Sequence, residues 1–482
     1  MSLLIKNGTV VTSNNEFQGD IYIEDGKFKE IGSKLDVKAD ETVDASGKYV
    51  FPGGVDEHVH YGSFGGRLFE TTDAAAVGGT TTIMDFAPQD KDVPLLEAIR
   101  RQAAKAENVA CVDYGFHGII MDPKDSVFDE IERLPEVGVS SLKLFMAYKG
   151  TSFYSDDESI LKAMMLAKKA GITMMVHAEN ADMIAVLQKY YLDRGKTDPV
   201  YHYYSRPPVA EDEATSRAIY LAKMADCPLF VVHVSTKGAM EAIRDAHIAG
   251  QVVFGETCTH YLTLTTDCLA KPGFEGAKYV CSPPLRPQLH QDALWEAVRE
   301  GWLIGVGSDH CALDGGYEIT KKKGMGNFVK IFSGCPGVQD RLVLLWTYGV
   351  LQGKITRQRF VDIACTTPAK MSGLYPRKGQ IAVGADADVV VFDPDFKGTI
   401  SNATSLHGID YSPFEGFPIQ GRPDQVFLRG KLVAEKGKFV GEKGKGEWVR
   451  SKPYALCYDY YKLQEKLRDR KSTRLNSSHE PL

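Results

Sequence analysis

Eight short β-rich runs, separated by longer stretches several of which have helical spacing, restrict the fold of this chain more than any other feature. The runs are Gly54 to His60, Thr80 to Asp85, Val112 to His117, Ser140 to Phe145, Ile172 to His177, Leu229 to Val234, Gln251 to Gly255 and Leu303 to Ser308. Between them, Pro94 to Asn108, Asp157 to Ala170, Glu211 to Met224 and Thr236 to Ala249 carry apolar residues three or four apart, the period of a helix lying on a sheet. Strands that alternate with helices pair in parallel, and eight of them predict an α/β fold. The expectation is a TIM-like (β/α)8 barrel over residues 53–377, with its active site at the C-terminal ends of the strands.

Residues on either side of this region predict a second unit. Asp20-Ile21-Tyr22-Ile23-Glu24 alternates apolar and polar side chains, turns at Asp25-Gly26 and returns through Phe28 to Ile31. Ala387 to Phe392 and Gln425 to Leu428, with a turn at Arg429-Gly430-Lys431, have the same character. Neither group of strands buries a core alone, so one composite β-sandwich domain built from both termini, 1–52 and 378–440, is expected. Residues 441–470 are read as a helical extension, because Tyr454 to Arg470 places Leu456, Tyr460, Leu463 and Leu467 on one side. Lys471 to Leu482 (471–482) is polar and aperiodic, and is read as a disordered or appended tail.

Composition narrows the class of function. The 482 residues carry 57 basic and 63 acidic side chains, a net charge of -6 with no long block of either sign, which argues against nucleic acid and membrane surfaces as partners. Leu3-Leu4-Ile5 is cut short by Lys6, so it is no signal peptide, and no run approaches the ~20 apolar residues that span a bilayer. Nine cysteines without a C-x-x-C pair fit a reducing compartment, and a soluble cytoplasmic protein is expected. Cys258 and His260 are read as core or loop residues rather than metal ligands.

Polar residues stand where the barrel geometry exposes its catalytic end. His58 and His60 lie two apart at the end of the first strand and so point to one side, able to grip one ion. Lys143 lies in the fourth strand, His177 ends the fifth, His233 closes the sixth, and the eighth runs into Asp309. Singly, each has a plain structural explanation: a hydrogen-bonded histidine, a helix-capping aspartate, a lysine reaching for solvent. Their convergence on one barrel mouth outweighs those explanations. The lysine is the sharpest clue, because an ammonium in an apolar strand beside divalent cations is repelled and poorly solvated. Reaction of its neutral amine with carbon dioxide gives an anionic carbamate long enough to bridge two metals.

The same residues sit in a series of motifs. These are Phe51-Pro52-Gly53-Gly54-Val55-Asp56, Gly78-Gly79-Thr80-Thr81-Thr82, Ser141-Leu142-Lys143-Leu144-Phe145-Met146-Ala147-Tyr148-Lys149, His177-Ala178-Glu179-Asn180, His233-Val234-Ser235, Ser282-Pro283-Pro284-Leu285-Arg286 and Ser308-Asp309-His310-Cys311. In this order they resemble the hydantoinase/dihydropyrimidinase branch of the amidohydrolase superfamily over nearly the whole chain. The resemblance implies two divalent metal ions, zinc first and manganese, cobalt or iron as alternatives. It implies that His58, His60 and Asp309 hold one ion, that His177 and His233 hold the other, and that Lys143, as N6-carboxylysine, bridges them. Lys149, in the loop beyond the strand, is not the bridge. Tyr148 is implied to hydrogen-bond the substrate carbonyl and Ser282 to hold the ring amide through its backbone. Asp309 is implied to carry a proton from water to the leaving nitrogen.

The activity so implied is hydrolytic opening of a small cyclic ureide, a dihydropyrimidine or 5-substituted hydantoin, to an N-carbamoyl amino acid. A homo-oligomer is implied too, a tetramer ahead of a dimer. Two departures bear on substrate. Ser333, in Ile331-Phe332-Ser333-Gly334, stands where the branch usually has an asparagine that contacts the ring, and the loop from Tyr61 to Phe69 is shorter than usual. An arginine that dihydroorotases place after the H-x-H pair is replaced here by Tyr61-Gly62. An allantoinase or other cyclic-ureide hydrolase stays open as an alternative. So does a non-catalytic dihydropyrimidinase-like interaction protein, although such proteins lose the ligands that this chain keeps.

Overall fold

The computed structural model describes residues 2–453 and Lys466. The helix expected at Tyr454 to Arg470, Lys466 apart, and the tail from Lys471 lie outside the described residues.

Five strands come first, β1 (Ser2–Val11), β2 (Glu16–Glu24), β3 (Lys27–Gly32), β4 (Glu41–Asp44) and β5 (Tyr49–Pro52). Eight barrel strands follow: β6 (Gly54–Val59), β7 (Thr80–Gln89), β8 (Asp113–Ile120), β9 (Ser141–Phe145), β10 (Thr173–His177), β11 (Leu229–Val231), β12 (Val253–Cys258) and β13 (Gly305–Gly307). These eight pair in parallel in strict chain order. The sheet curls until its first strand meets its last. There, Val59 bridges His310, the His60 amide donates to the His310 carbonyl at 2.8 Å, and the Ser308 amide donates to Asp56 at 3.0 Å. Helices cover the outside, among them Leu95–Ala106, Asp157–Ala170, Pro208–Ala225 and Lys237–Ile248, which match the four helical stretches read from the sequence.

All eight strands fall on the β-rich runs read from the sequence, with informative differences at their ends. β11 stops at Val231 rather than Val234 and β13 at Gly307 rather than Ser308. In both cases the chain then turns into the left-handed region, at His233 (φ 42°) and Asp309 (φ 46°), and a ladder cannot continue through that conformation. β12 runs on past Gly255 to Cys258, carrying a buried glutamate that a sequence reader takes for loop.

Both termini join in a nine-stranded mixed sheet, as expected. Its later members are β14 (Val389–Thr399), β15 (Pro418–Leu428), β16 (Lys431–Glu435) and β17 (Lys438–Phe439), and its order is β17-β16-β15-β14-β5-β1-β2-β3, with β4 also on β1. The seam is the antiparallel pairing of β14 with β5, Val390 opposite Phe51. Alternate residues of these strands, Leu3, Ile5, Ile21, Ile23, Val389 and Val391 among them, bury an apolar cluster separate from the main core.

The extension expected to be helical over 441–470 is different in its described part. Residues 441–453 form an extended strap that spends its backbone hydrogen bonds on the barrel instead of on itself. Gly446 donates to Ala110 and Val449 to Tyr114, Glu447 accepts from Tyr114, and Ser451 donates to Gly138.

Candidate active site

In β9 the side chains alternate between outer and inner faces. Leu142 and Leu144 join the main apolar core, while Lys143 turns inward with its Nζ 4.2 Å from the centre of the Phe86 ring. The same alternation turns both imidazoles of the His58–His60 pair inward. Lys143 Nζ lies 3.1 Å from His58 Nε2, and Asp309 Oδ1 lies 3.3 Å from His58 Nε2 and 3.2 Å from His60 Nε2. His233 completes the group, with its ring centre 4.5 Å from that of His177 and 5.4 Å from that of His58. All six residues singled out as candidate ligands are thus within one cluster, and all are buried or nearly so.

The surroundings hold these side chains in a state suited to ligation. Burial pushes all four imidazoles below their ordinary pKa, assisted at His58 by Lys143 and at His233 by His177, so each ring is neutral with a lone pair free to bind a metal. Burial also lowers the Lys143 amine to about 8, against the pull of Asp309 and Glu256. Burial opposes ionisation of Asp309, but its hydrogen bond with His60 and the nearby Lys143 outweigh it and hold the carboxyl low. His58, His60 and Asp309 offer three donor atoms within 4.8 Å of one another, and the buried Nδ1 atoms of His60 and His233 have no partner among the described residues. This nitrogen and oxygen donor set fits divalent metal ions.

Behind the cluster stand carboxylates that orient it. Glu256 accepts a hydrogen bond from His58 Nδ1–H at 2.5 Å, leaving Nε2 for the centre, and Glu179 meets His177 Nε2 at 2.7 Å. Glu179 is paired with Arg206 at 2.5 Å, and this cation and His177 carry its pKa down to about 2 in spite of burial. Burial lifts Glu57, beside Glu256, to about 7, and burial with repulsion from Glu57 lifts Glu256. Sequence reading passed over Glu256 and Arg206; Glu179 lay inside a quoted motif without a role. The signal available for Glu256 was its position three residues beyond Val253 in a run of β character. Cys258 and His260 are buried as expected, yet both come within reach of Asp309.

Above the cluster opens a cavity of about 580 Å3. His60, Lys143, His177, His233 and Asp309 form its polar floor; Tyr148, Ser282 and Ser333 are on its walls, with Phe64, Phe145, Phe153 and Phe332. Tyr148 adopts φ 65°, so three polar residues of the site, with His233 and Asp309, hold a backbone conformation that non-glycine residues seldom take, a strain that collects at functional sites. Burial raises the Tyr148 phenol to about 12, so it stays a hydrogen-bond donor. Ser282 Oγ donates to Ser333 Oγ at 3.0 Å, tying together the two segments singled out as substrate contacts. Lys149 points away into an ion pair with Asp182, consistent with its exclusion as the bridge.

A profile described as the amidohydrolase family matches residues 49–433. A D-hydantoinase of Geobacillus stearothermophilus is 47% identical over 461 residues, 94% of this chain and 97% of the relative. The crystal structure of dihydropyrimidinase from Brevibacillus agri NCHU1002 superposes with a TM-score of 0.92 at 45% identity, covering 94% of this chain and 100% of that one. An L-hydantoinase (dihydropyrimidinase) from Arthrobacter aurescens superposes with a TM-score of 0.86 at 33% identity, covering 93% of this chain and 99% of that one. Barrel, inward-turned ligand set and likeness along almost the full length agree: the chain belongs to the amidohydrolase family, in the group of hydantoinases and dihydropyrimidinases.

Proposed function

We propose that this protein opens dihydropyrimidines or 5-substituted hydantoins by hydrolysis, releasing N-carbamoyl amino acids. The observation that carries this reading is the convergence of four buried imidazoles with Lys143 and Asp309, of which His60, His177, His233, Lys143 and Asp309 form the floor of one cavity and His58 lies directly beneath, 3.1 Å from Lys143 Nζ. His58, His60 and Asp309 would hold one divalent ion and His177 and His233 the other, with Lys143 shared as its carbamate. Such ions, zinc by the nitrogen and oxygen character of the donors, supply Lewis acidity toward the amide carbonyl and lower the pKa of water.

The protein's own groups do the rest. Asp309 accepts a proton from the attacking water and delivers it to the ring nitrogen as the amide C–N bond breaks. The Tyr148 hydroxyl donates to the amide oxygen as negative charge builds there. Ser282 and Ser333 hold the ring, and a serine in place of the branch's asparagine serves because Ser333 is already tied to Ser282. Phe64, Phe145, Phe153 and Phe332 receive the ring substituent and displace water from it, a lining that favours apolar 5-substituents.

Eight cysteines among the described residues are free, which supports a reducing, cytoplasmic setting. No helix among the described residues is long and apolar enough to cross a membrane. The assembly we favour is a homotetramer, and light scattering of the purified protein tests it. For the activity, metal-loaded protein is assayed with dihydrouracil, 5-substituted hydantoins, allantoin and dihydroorotate. Turnover of the first two classes is expected; turnover of the last two alone would replace this reading with another cyclic-ureide hydrolase.

A further inference from the structure

Lys321 is fully buried, yet it makes no ion pair among the described residues. Its three ammonium protons go to three backbone carbonyls: Val280 at 2.9 Å, Phe332 at 2.8 Å and Gly334 at 2.7 Å. A cation enclosed without an anion is costly, and it persists only where every proton finds an acceptor. Three acceptors around one nitrogen suit the tetrahedral ammonium of lysine, which has three donors and no lone pair to spare.

Those carbonyls belong to the two segments that carry the proposed ring contacts. Val280 lies two residues before Ser282, and Phe332 and Gly334 flank Ser333. The Phe332 carbonyl faces Nζ and the Gly334 amide faces Val280, so the Ser333 amide and carbonyl, at the opposite ends of those two planar peptide groups, turn away from the clamp, and Ser333 lines the cavity. A direct bond from the Gly334 amide to the Val280 carbonyl, 3.0 Å, and the Ser282–Ser333 hydroxyl bond run alongside. Neither segment belongs to a strand of the barrel, so their spacing is held by local bonds such as these, to which the Cys335 thiol adds weaker contacts with the Lys278 and Val280 carbonyls.

We propose that Lys321 is a positioning residue, whose ammonium clamps the 280–282 and 332–334 segments so that Ser282 and Ser333 meet the substrate ring at a fixed separation. This rests on the ureide-hydrolase reading above and assigns the recognition of the ring, as distinct from the chemistry at the metal centre, to a side chain that does not touch substrate. Loosening the clamp should therefore weaken binding more than turnover.

The test compares Lys321→Met, which keeps length and loses the donors, with Lys321→Ala. In both, KM for the best ureide is expected to rise at least about tenfold while kcat falls less, because ground-state and transition-state contacts to the ring are lost together. Metal content per chain is expected to equal that of the wild type. Propylammonium chloride, which replaces the atoms that the alanine variant lacks, should lower the KM of Lys321→Ala and leave Lys321→Met unchanged. A folded variant with wild-type KM overturns the proposal, and so does an alanine variant whose KM ignores propylammonium. Failure of both variants to fold, with the amine present, assigns Lys321 to stability alone and also overturns it. Should the wild type turn over no ureide, the functional reading fails by itself. The clamp is then judged by hydrogen exchange: faster exchange at the Gly334 amide in Lys321→Ala, reversed by propylammonium, sustains it, and unchanged exchange removes it.

Discussion

Asp309 combines three properties that seldom meet in one side chain: a strained backbone, burial, and a carboxylate kept ionised by its neighbours. Removing the charge while keeping the shape tests its role as proton carrier once metal content is matched, because the same carboxylate would also hold an ion. Asp309→Asn is expected to lower kcat by roughly 10²–10⁴-fold or more, the range supplied by a positioned acid–base group, with thermal unfolding close to that of wild type. Steady-state kinetics at matched metal content checks this, and turnover near the wild-type rate would remove Asp309 from proton transfer. Glu256 acts one step further back, because its carboxylate sets which His58 nitrogen faces the centre. Glu256→Gln keeps the volume and exchanges one acceptor oxygen for an amide nitrogen, and metal affinity is expected to fall about 10- to 100-fold. Equilibrium dialysis against a buffered zinc series reads that change. An affinity equal to wild type would show that the tautomer of His58 is held by something else. Two further buried histidines stay out of the cluster: His117, which ends a run in the sequence but lies inside β8, bonds to the Glu57 carbonyl at 3.0 Å, and His310, beyond β13, accepts from the Gly337 amide at 3.1 Å. Sequence alone does not tell such structural imidazoles from ligands, since both kinds stand at or beyond the end of a β-rich run.

Among the elements, barrel strands were legible as short runs rich in β-favouring residues set between helical stretches, and nearly every residue in them is buried, polar ones included. Their last residues were less so. β11 and β13 end early through a left-handed turn, and β12 runs long because Glu256 to Cys258 pair in parallel with β13, an element far along the chain. The strap at 441–453 was misread for a related reason: its hydrogen bonds go to loops and to a strand far earlier in the chain, so it leaves no local period. Its seating can be tested. A Cβ added at Gly446 would lie 1.9 Å from the Val112 carbonyl oxygen, so Gly446→Ala must lift the strap from β8. A loss of about 1–3 kcal/mol is expected, as for other overpacked sites, with kcat per bound metal unchanged because the strap is remote from the cavity. Chemical denaturation of the variant beside wild type measures it, and equal midpoints would mean that the strap is not seated as described.

For the whole molecule, the terminal sheet and the barrel are joined by a buried charge cluster. Lys378 Nζ meets Asp113 of β8 at 2.5 Å, Asp388 at 2.8 Å and Asp386 at 3.0 Å, and Arg429 pairs with Asp113 from the β15–β16 turn. Lys378→Met would leave buried Asp388 without an ion-pair partner among the described residues and take one cation each from Asp113 and Asp386, and a destabilisation of about 3–5 kcal/mol is expected. The same cluster sets an acid limit. Burial alone would raise Asp386, but Lys378, Lys27 and Arg377 outweigh it and depress its pKa from an ordinary 3.8 to about 2. A carboxyl depressed in the folded state contributes stability that is present above its unfolded value and is lost as pH falls through the folded one. Wild-type stability is therefore expected to decline between about pH 4 and pH 2, and that acid-side slope to flatten in Lys378→Met. Urea unfolding at a series of pH values decides it; parallel slopes would locate the acid sensitivity elsewhere.

By itself the amino-acid order determined what depends on neighbours along the chain: eight strands from β-rich runs, four outer helices from their period, paired imidazoles from a spacing of two, and a terminal sheet from alternation at both ends. Tertiary structure alone decided what depends on closure. Only when the barrel closes do Asp309 and His60, 249 positions apart by the difference of their numbers, come within 3.2 Å, and only then do Glu256, Arg206 and Lys321 acquire partners. A buried charge has no local signature, because the groups that make its burial tolerable arrive from other parts of the chain.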